Sequence, residues 1–388
     1  MRHPHGLRAA AAGGPYIGDI AVAHDGSPRI SVYPWSAAGF GTKYANPATL
    51  PTGTGYNVAF SPNRANIAVA HATSPYISVY PWSSGFGTKY SDPATLPTGS
   101  GYGVTFSPNS ANIAVAHTTS PYISVYPWSA AGFGTKYSDP ATLPPSNGTG
   151  VAFSPNGGDI AVAHVNSPFV SVYPWSSGFG AKYSNPATLP TGNVFGVTFS
   201  PDGANIAVPH NTSPYISVYQ WSSGFGAKYA DPATVPNNIS YSVAFSPDND
   251  YIAVSSYLSP YINVYPWSSG FGAKYSNPAT LPNGIGYGVA FSPNSENIAV
   301  SHSLSPHISA YPWSAAGFGT KYSNPATVPN SSGYNVAFSP DSADLAVAHA
   351  TSPYISVYPW SAAGFGTKYA NPATLPTGTG FGVAFSPA

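Results

Sequence analysis

Residues 75–90 read PYISVYPWSSGFGTKY, and close copies of the stretch return at 121–137, 214–229 and 353–369. The tryptophan inside it sets a period: Trp35, Trp82, Trp128, Trp175, Trp221, Trp267, Trp313 and Trp360 are all the tryptophans of the chain and stand 46 or 47 residues apart. The one-residue difference follows the turn after the tryptophan, where Ser-Ala-Ala-Gly (36–39) alternates with Ser-Ser-Gly (83–85). A chain of 388 residues is therefore a count of eight units, and the period must be read before any domain division.

Each unit holds four short segments with strand character. YNVAF at 56–60 alternates Tyr56, Val58 and Phe60 with Asn57 and Ala59, the two-residue period of a strand, and stops at the Ser61-Pro62-Asn63 turn. NIAVAH at 66–71 sets Ile67, Val69 and His71 on one face and the small Ala68 and Ala70 on the other, which lets a neighbouring sheet come close. YISVY at 76–80 is the third and GTKYSDPAT at 87–95 the fourth. With 43 prolines and 40 glycines no helix is predicted.

A lone four-stranded sheet leaves apolar surface wet, and stacking eight such sheets face to face covers it. The ends choose between a ring and an open spiral. The first unit starts at Pro15 to Ile20 without its first strand, and the chain ends at Phe381 to Ala388 with that strand and little more. The prediction is all-β: a single eight-bladed β-propeller over 15–388, four antiparallel strands per blade, its ring closed by the C-terminal strand completing the N-terminal blade, preceded by a flexible tail over 1–14.

Composition excludes several functions. Charged residues are 6% of the chain, twelve basic against twelve acidic, so no basic patch marks a nucleic-acid partner. Aromatics at 14% argue for a packed fold and against disorder. No run reaches the roughly 18 apolar residues of a membrane span, and Ala9–Ala12 is too short for a signal-peptide core. No membrane insertion is expected, and synthesis in the cytoplasm without the usual secretory route is.

Candidate site residues come as repeats. His24, His71, His117, His164, His210, His302 and His349 close the second strand in seven units, with Ser256 in the eighth. Equivalent residues on neighbouring blades lie about 10 Å apart, too far to share one ion, so the histidines read as structural groups tying a turn, with no metal and no cofactor. Lys43, Lys89, Lys136, Lys182, Lys228, Lys274, Lys321 and Lys368 read as edge lysines that discourage pairing with other chains. After each Ser-Pro stands Arg29, Tyr76, Tyr122, Phe169, Tyr215, Tyr261, His307 or Tyr354; the seven from Tyr76 onward are the candidate binding-face residues, because such rings offer contact area with a polar handle. The single glutamate, Glu296, and the lack of paired carboxylates leave no catalytic constellation, and the chain reads as a non-enzyme.

The Val-Ala-Phe-Ser-Pro-Asn/Asp element, at Phe60, Phe106, Phe153, Phe199, Phe245, Phe291, Phe338 and Phe385, resembles the propeller repeats of the Trp-Asp type, without their Gly-His and Trp-Asp pairs. The longer pattern AVAHxTSPYIxVY…PATLPxGxGxGVAFSP resembles repeats of uncharacterised, often phage-associated structural proteins. That resemblance implies a virion component, a phage tail, neck or surface part that serves as scaffold or host-contact module with protein partners, located in a virion or extracellular particle. The alternative it leaves open is a multivalent carbohydrate-binding propeller using the repeated aromatics.

Overall fold

The computed structural model describes residues 17–387; the tail read over 1–14 lies outside them. Eight antiparallel sheets stand in a ring around a channel, and the described residues contain no helix. Blade 1 is assembled from both ends of the chain. Its innermost strand is Gly380–Phe385, hydrogen-bonded to Gly18–His24 with Val383 opposite Val22, followed by Ile30–Ser36 and the short Gly39–Phe40.

The alternation in the second strand sets the packing. Ala68 and Ala70 of blade 2, with Ile77 and Val79 beside them, meet Val104, Phe106, Ile113, Val115, Tyr126 and Trp128 of blade 3 in one buried layer. The same small-against-large arrangement recurs at the next seams, so each blade's alanine face admits its neighbour's branched and aromatic side chains.

The fourth strand departs from the reading. Residues 87–95 form no strand; the outer strand, where present, is the Gly-Phe pair before them. Four blades carry that two-residue strand, and all four have the longer Ser-Ala-Ala-Gly turn (Gly39–Phe40, Gly132–Phe133, Gly317–Phe318, Gly364–Phe365). Where the turn is Ser-Ser-Gly, blades 2, 4 and 6 keep three strands and a lone bridge such as Trp82 to Phe86. In all seven of these blades the outer strand goes no further than two residues, because Pro81 and its counterparts have no N–H to extend the ladder. Blade 5 has Gln220 at that position, and there the outer strand lengthens to Phe225–Lys228.

The seams carry a polar latch that the sequence reading missed. Asp19 of blade 1 accepts from Trp82 Nε1 of blade 2 at 2.7 Å and from Tyr44 Oη of its own blade at 2.8 Å. Asp159 receives Trp221 and Tyr183, and Asp344, at the closing seam, receives Trp35 at 2.7 Å and Tyr369 at 2.9 Å. The tryptophan–aspartate bond absent as a dipeptide thus exists between blades. Where Asn112, Asn205 or Asn297 replaces the aspartate, the tyrosine bond remains and Trp175, Trp267 or Trp360 Nε1 is left unpaired.

Candidate functional site

The turns between second and third strands and the links between blades share one face of the ring, and on it the channel opens. The first strand begins there. Its register slips by one residue between Gly55 and Asn57, so Tyr56 leaves the face of Val58 and Phe60 on which strict alternation places it. Its ring instead meets those of Tyr102 and Phe381, at centroid distances of 5.0 and 5.9 Å. The equivalent rings continue the collar: Phe195 to Tyr241 at 5.2 Å, Tyr241 to Tyr287 at 5.5 Å, Tyr287 to Tyr334 at 5.4 Å and Tyr334 to Phe381 at 5.9 Å. Such spacings around eight positions put opposite centroids roughly 14 Å apart, an opening of small-molecule size once ring thickness is removed.

Seven positions are aromatic and the eighth, in blade 4, is Thr149, whose hydroxyl is turned to the Val194 carbonyl at 2.9 Å. Beside this gap the wall is irregular. The innermost strands of blades 5 and 6 shrink to Thr198–Phe199 and Val243–Phe245, against six residues in the other blades. Tyr241 and Tyr287 stand in this sector, and burial first, then the neighbouring phenols, raises the pKa of both. The eightfold repetition that argued against a unique site is broken here.

The seven candidate binding-face residues line this same face, each following a cis Ser-Pro bond and half-buried. Tyr76, Tyr122, Phe169, Tyr215, Tyr261, His307 and Tyr354, like Arg29, all have φ between 66° and 72°. Glycine or asparagine fits that backbone better, so the large side chains are held there for what they touch. Their carbonyls lie against the next blade: a Cβ on Gly101 would come within 2.6 Å of Tyr76 O, which only glycine avoids. Between Tyr215 and Tyr261 lies a groove of about 650 Å³, lined also by Val235, Pro236, Asn238 and Leu258.

His307 differs from its counterparts. Its Nδ1 is buried close to the backbone of His302 and Ser303, and burial lowers its pKa, so the imidazole is neutral at neutral pH. Its carbonyl abuts Gly333, next to Tyr334 of the collar.

The seven other histidines among the described residues are fully buried, each within its own blade. Nε2 of every one lies 3.0 or 3.1 Å from a third-strand serine hydroxyl, from His24 with Ser31 to His349 with Ser356. In His164, His210 and His302, Nδ1 also donates to a turn carbonyl at 2.8 to 2.9 Å. Burial lowers each pKa to about 4. In blade 6 the pair is exchanged for Ser256 and Asn263, joined at 3.1 Å. Among the described residues no three metal-binding side chains converge.

The lysines are less exposed than edge residues should be. Lys89, Lys136 and Lys228 pair with Asp92, Asp139 and Asp231, their own side chains 10% exposed or less, and the other five bond to asparagines. Once these rim pairs are set aside, Arg29 is the one cation on the mouth face among the described residues, with Asp25 near it.

No protein-family model matches the chain, and no curated protein matches it. Solved structures do. A candidate 6-phosphogluconolactonase of Bacteroides fragilis is similar over 95% of this chain and 98% of its own, with TM-score 0.62 and 12% identity. The periplasmic gluconolactonase PpgL of Pseudomonas aeruginosa covers 79% of this chain and 96% of its own (TM-score 0.55, 15% identity), and Kuenenia stuttgartiensis hydrazine synthase 80% and 96% (TM-score 0.57, 13% identity). The chain is an eight-bladed β-propeller.

At such identities the likeness establishes this propeller's fold alone. It nevertheless corrects the reading of function. These propellers bear the names of enzymes and none is a phage part, so the reading as a non-enzymatic virion scaffold is withdrawn, and the carbohydrate-binding alternative with it.

Proposed function

We propose that this propeller is a hydrolase of uncharged lactones, acting at the channel mouth. The observation that carries the reading is His307, a half-buried neutral imidazole whose own carbonyl abuts Gly333, next to Tyr334 of the aromatic collar. The lactonase names among propellers of this shape support the reaction class.

Water held at Nε2 of His307 attacks the lactone carbonyl as the imidazole takes its proton, and collar phenols such as Tyr334 and Tyr287 donate hydrogen bonds to the carbonyl oxygen as it gains charge. The bond from carbonyl carbon to ring oxygen then breaks, the imidazolium returns the proton to the leaving oxygen, and a hydroxy acid is released. Collar rings stack on the substrate's C–H faces. A phosphorylated lactone fits poorly, since a phosphate dianion calls for clustered basic groups and this face offers Arg29 alone.

The test is a pH-stat assay on glucono-δ-lactone and δ-valerolactone, corrected for spontaneous opening, with the wild type and His307→Tyr. Tyrosine is native at this position in five blades, so the variant keeps the fold. The expected result is catalysis in the wild type, falling at least 100-fold in the variant. Rates no greater than spontaneous, or equal in both proteins, overturn the proposal.

A further inference from the structure

The groove between Tyr215 and Tyr261 is lined by a turn that departs from the repeat. The residue two positions before each cis proline is threonine in Thr73, Thr119, Thr212 and Thr351, but leucine in Leu258 and Leu304. These leucines are 49% and 55% exposed, and Tyr257 beside the first is 39% exposed. Among the described residues, four of the eight large exposed apolar side chains, Tyr257, Leu258, Leu281 and Leu304, belong to blades 6 and 7 and the link between them. The blade link differs too: Asn237-Asn238 stands where four other links have Thr-Gly, as at Thr52-Gly53, and the Asn237 amide holds the Ser259 carbonyl while Leu258 N donates to Asn237 O at 3.2 Å.

The groove does not end blindly. Tyr257, next to Leu258, donates its N–H to Ile239 O at 2.8 Å, two residues before Tyr241 of the collar, so the groove borders the channel mouth. No charged side chain lines the groove, and 650 Å³ is the size of a small-molecule site. A sugar ring alone would leave it wet, and a charged tail would find no partner.

We propose that this groove binds the aliphatic chain of an amphiphilic substrate, with Leu258 as its floor and the rings of Tyr215 and Tyr261 as its walls. Within the lactonase reading, on which this assignment of substrate rests, the natural substrate is then a lactone bearing an alkyl or acyl chain. Each methylene buried in the groove strengthens binding about fourfold until the groove is full.

Two measurements on the full chain separate the ideas. Binding of 1-decanol, followed by saturation-transfer NMR and tyrosine fluorescence, needs no catalysis. The wild type is expected to bind, and Leu258→Thr, which restores a residue native in four blades, to bind about tenfold more weakly; no binding, or equal binding by both, overturns the groove assignment. kcat/KM across δ-hexalactone, δ-octalactone and δ-decalactone is expected to rise with chain length in the wild type and to flatten in Leu258→Thr. A flat series in the wild type overturns the substrate assignment even where hydrolysis occurs, and decanol binding without hydrolysis of any lactone removes the catalytic reading while leaving the groove.

Discussion

Acidification is the perturbation to which this fold should respond most sharply. Seven buried histidines have folded-state pKa values lowered from 6.5 to about 4 by desolvation. A lowered folded pKa means that the unfolded chain binds more protons between these values, so the stability is fully present above about pH 6.5 and is lost as pH falls toward 4. Each shift is worth about 3 kcal/mol, and seven together roughly 20 kcal/mol, more than the roughly 5–15 kcal/mol of net stability a domain usually has. Near pH 5 the unfolded histidines are almost all charged and the folded ones almost all neutral, so about six protons are taken up and stability falls by about 8 kcal/mol per pH unit. Asp344, whose carboxyl is raised by burial, works the other way, but it is one group against seven. Urea unfolding followed by tryptophan fluorescence at pH 7.5, 6.5, 5.5 and 5.0 is expected to show this steepening loss. Transplanting the blade 6 pair into blade 2, as His71→Ser with Ser78→Asn, should remove one proton from the uptake. Stability unchanged between pH 7.5 and 5 refutes the reasoning.

Three other outcomes follow from the same interactions. Eight buried tyrosines, Tyr33 to Tyr358, have pKa values raised by burial, so stability is present below pH 10 and lost as pH rises above it; spectrophotometric titration at 295 nm should show their ionisation only together with unfolding. Asn112→Asp gives the unpaired Trp175 Nε1 a partner and should stabilise by about 1 kcal/mol, whereas Asp344→Asn should cost about 1–2 kcal/mol at the closing seam, both read by urea melts. Pro81→Gln should extend the outer strand of blade 2 as Gln220 does in blade 5, seen as slowed amide exchange over 86–89.

Much of this molecule could be read from its repeats. The first three strands were legible because Ile67, Val69 and their counterparts alternate cleanly with alanines. The fourth was not, because strand-like residues at 87–95 lie past Pro81, which removes the donor a fourth strand needs. Trp82 and Asp19 lie 63 residues apart and meet only when blades stack, so the latch had no local signal beyond the Asp, Asn or Tyr varying at one strand position. The collar was hidden by a bulge: the two-residue period places Tyr56 with Phe60, and a one-residue slip turns it into the channel. Thr149 and Leu258 were visible as departures from the repeat but carried no signal until the ring set them on one face with His307, which the sequence already placed among the candidate binding-face residues.

Every assignment of a residue to the mouth depends on the ring closing through Gly380–Phe385. The chain has no cysteine, so the double variant Val22→Cys, Val383→Cys, which places thiols at directly opposed positions on the two joined strands, reports on closure without background. Mild oxidation of the folded monomer, followed by intact-mass and denaturing-gel analysis, is the measurement. A closed ring gives one intramolecular disulfide in nearly every molecule and a compact, faster-migrating band; free thiols or intermolecular dimers from a folded protein contradict it.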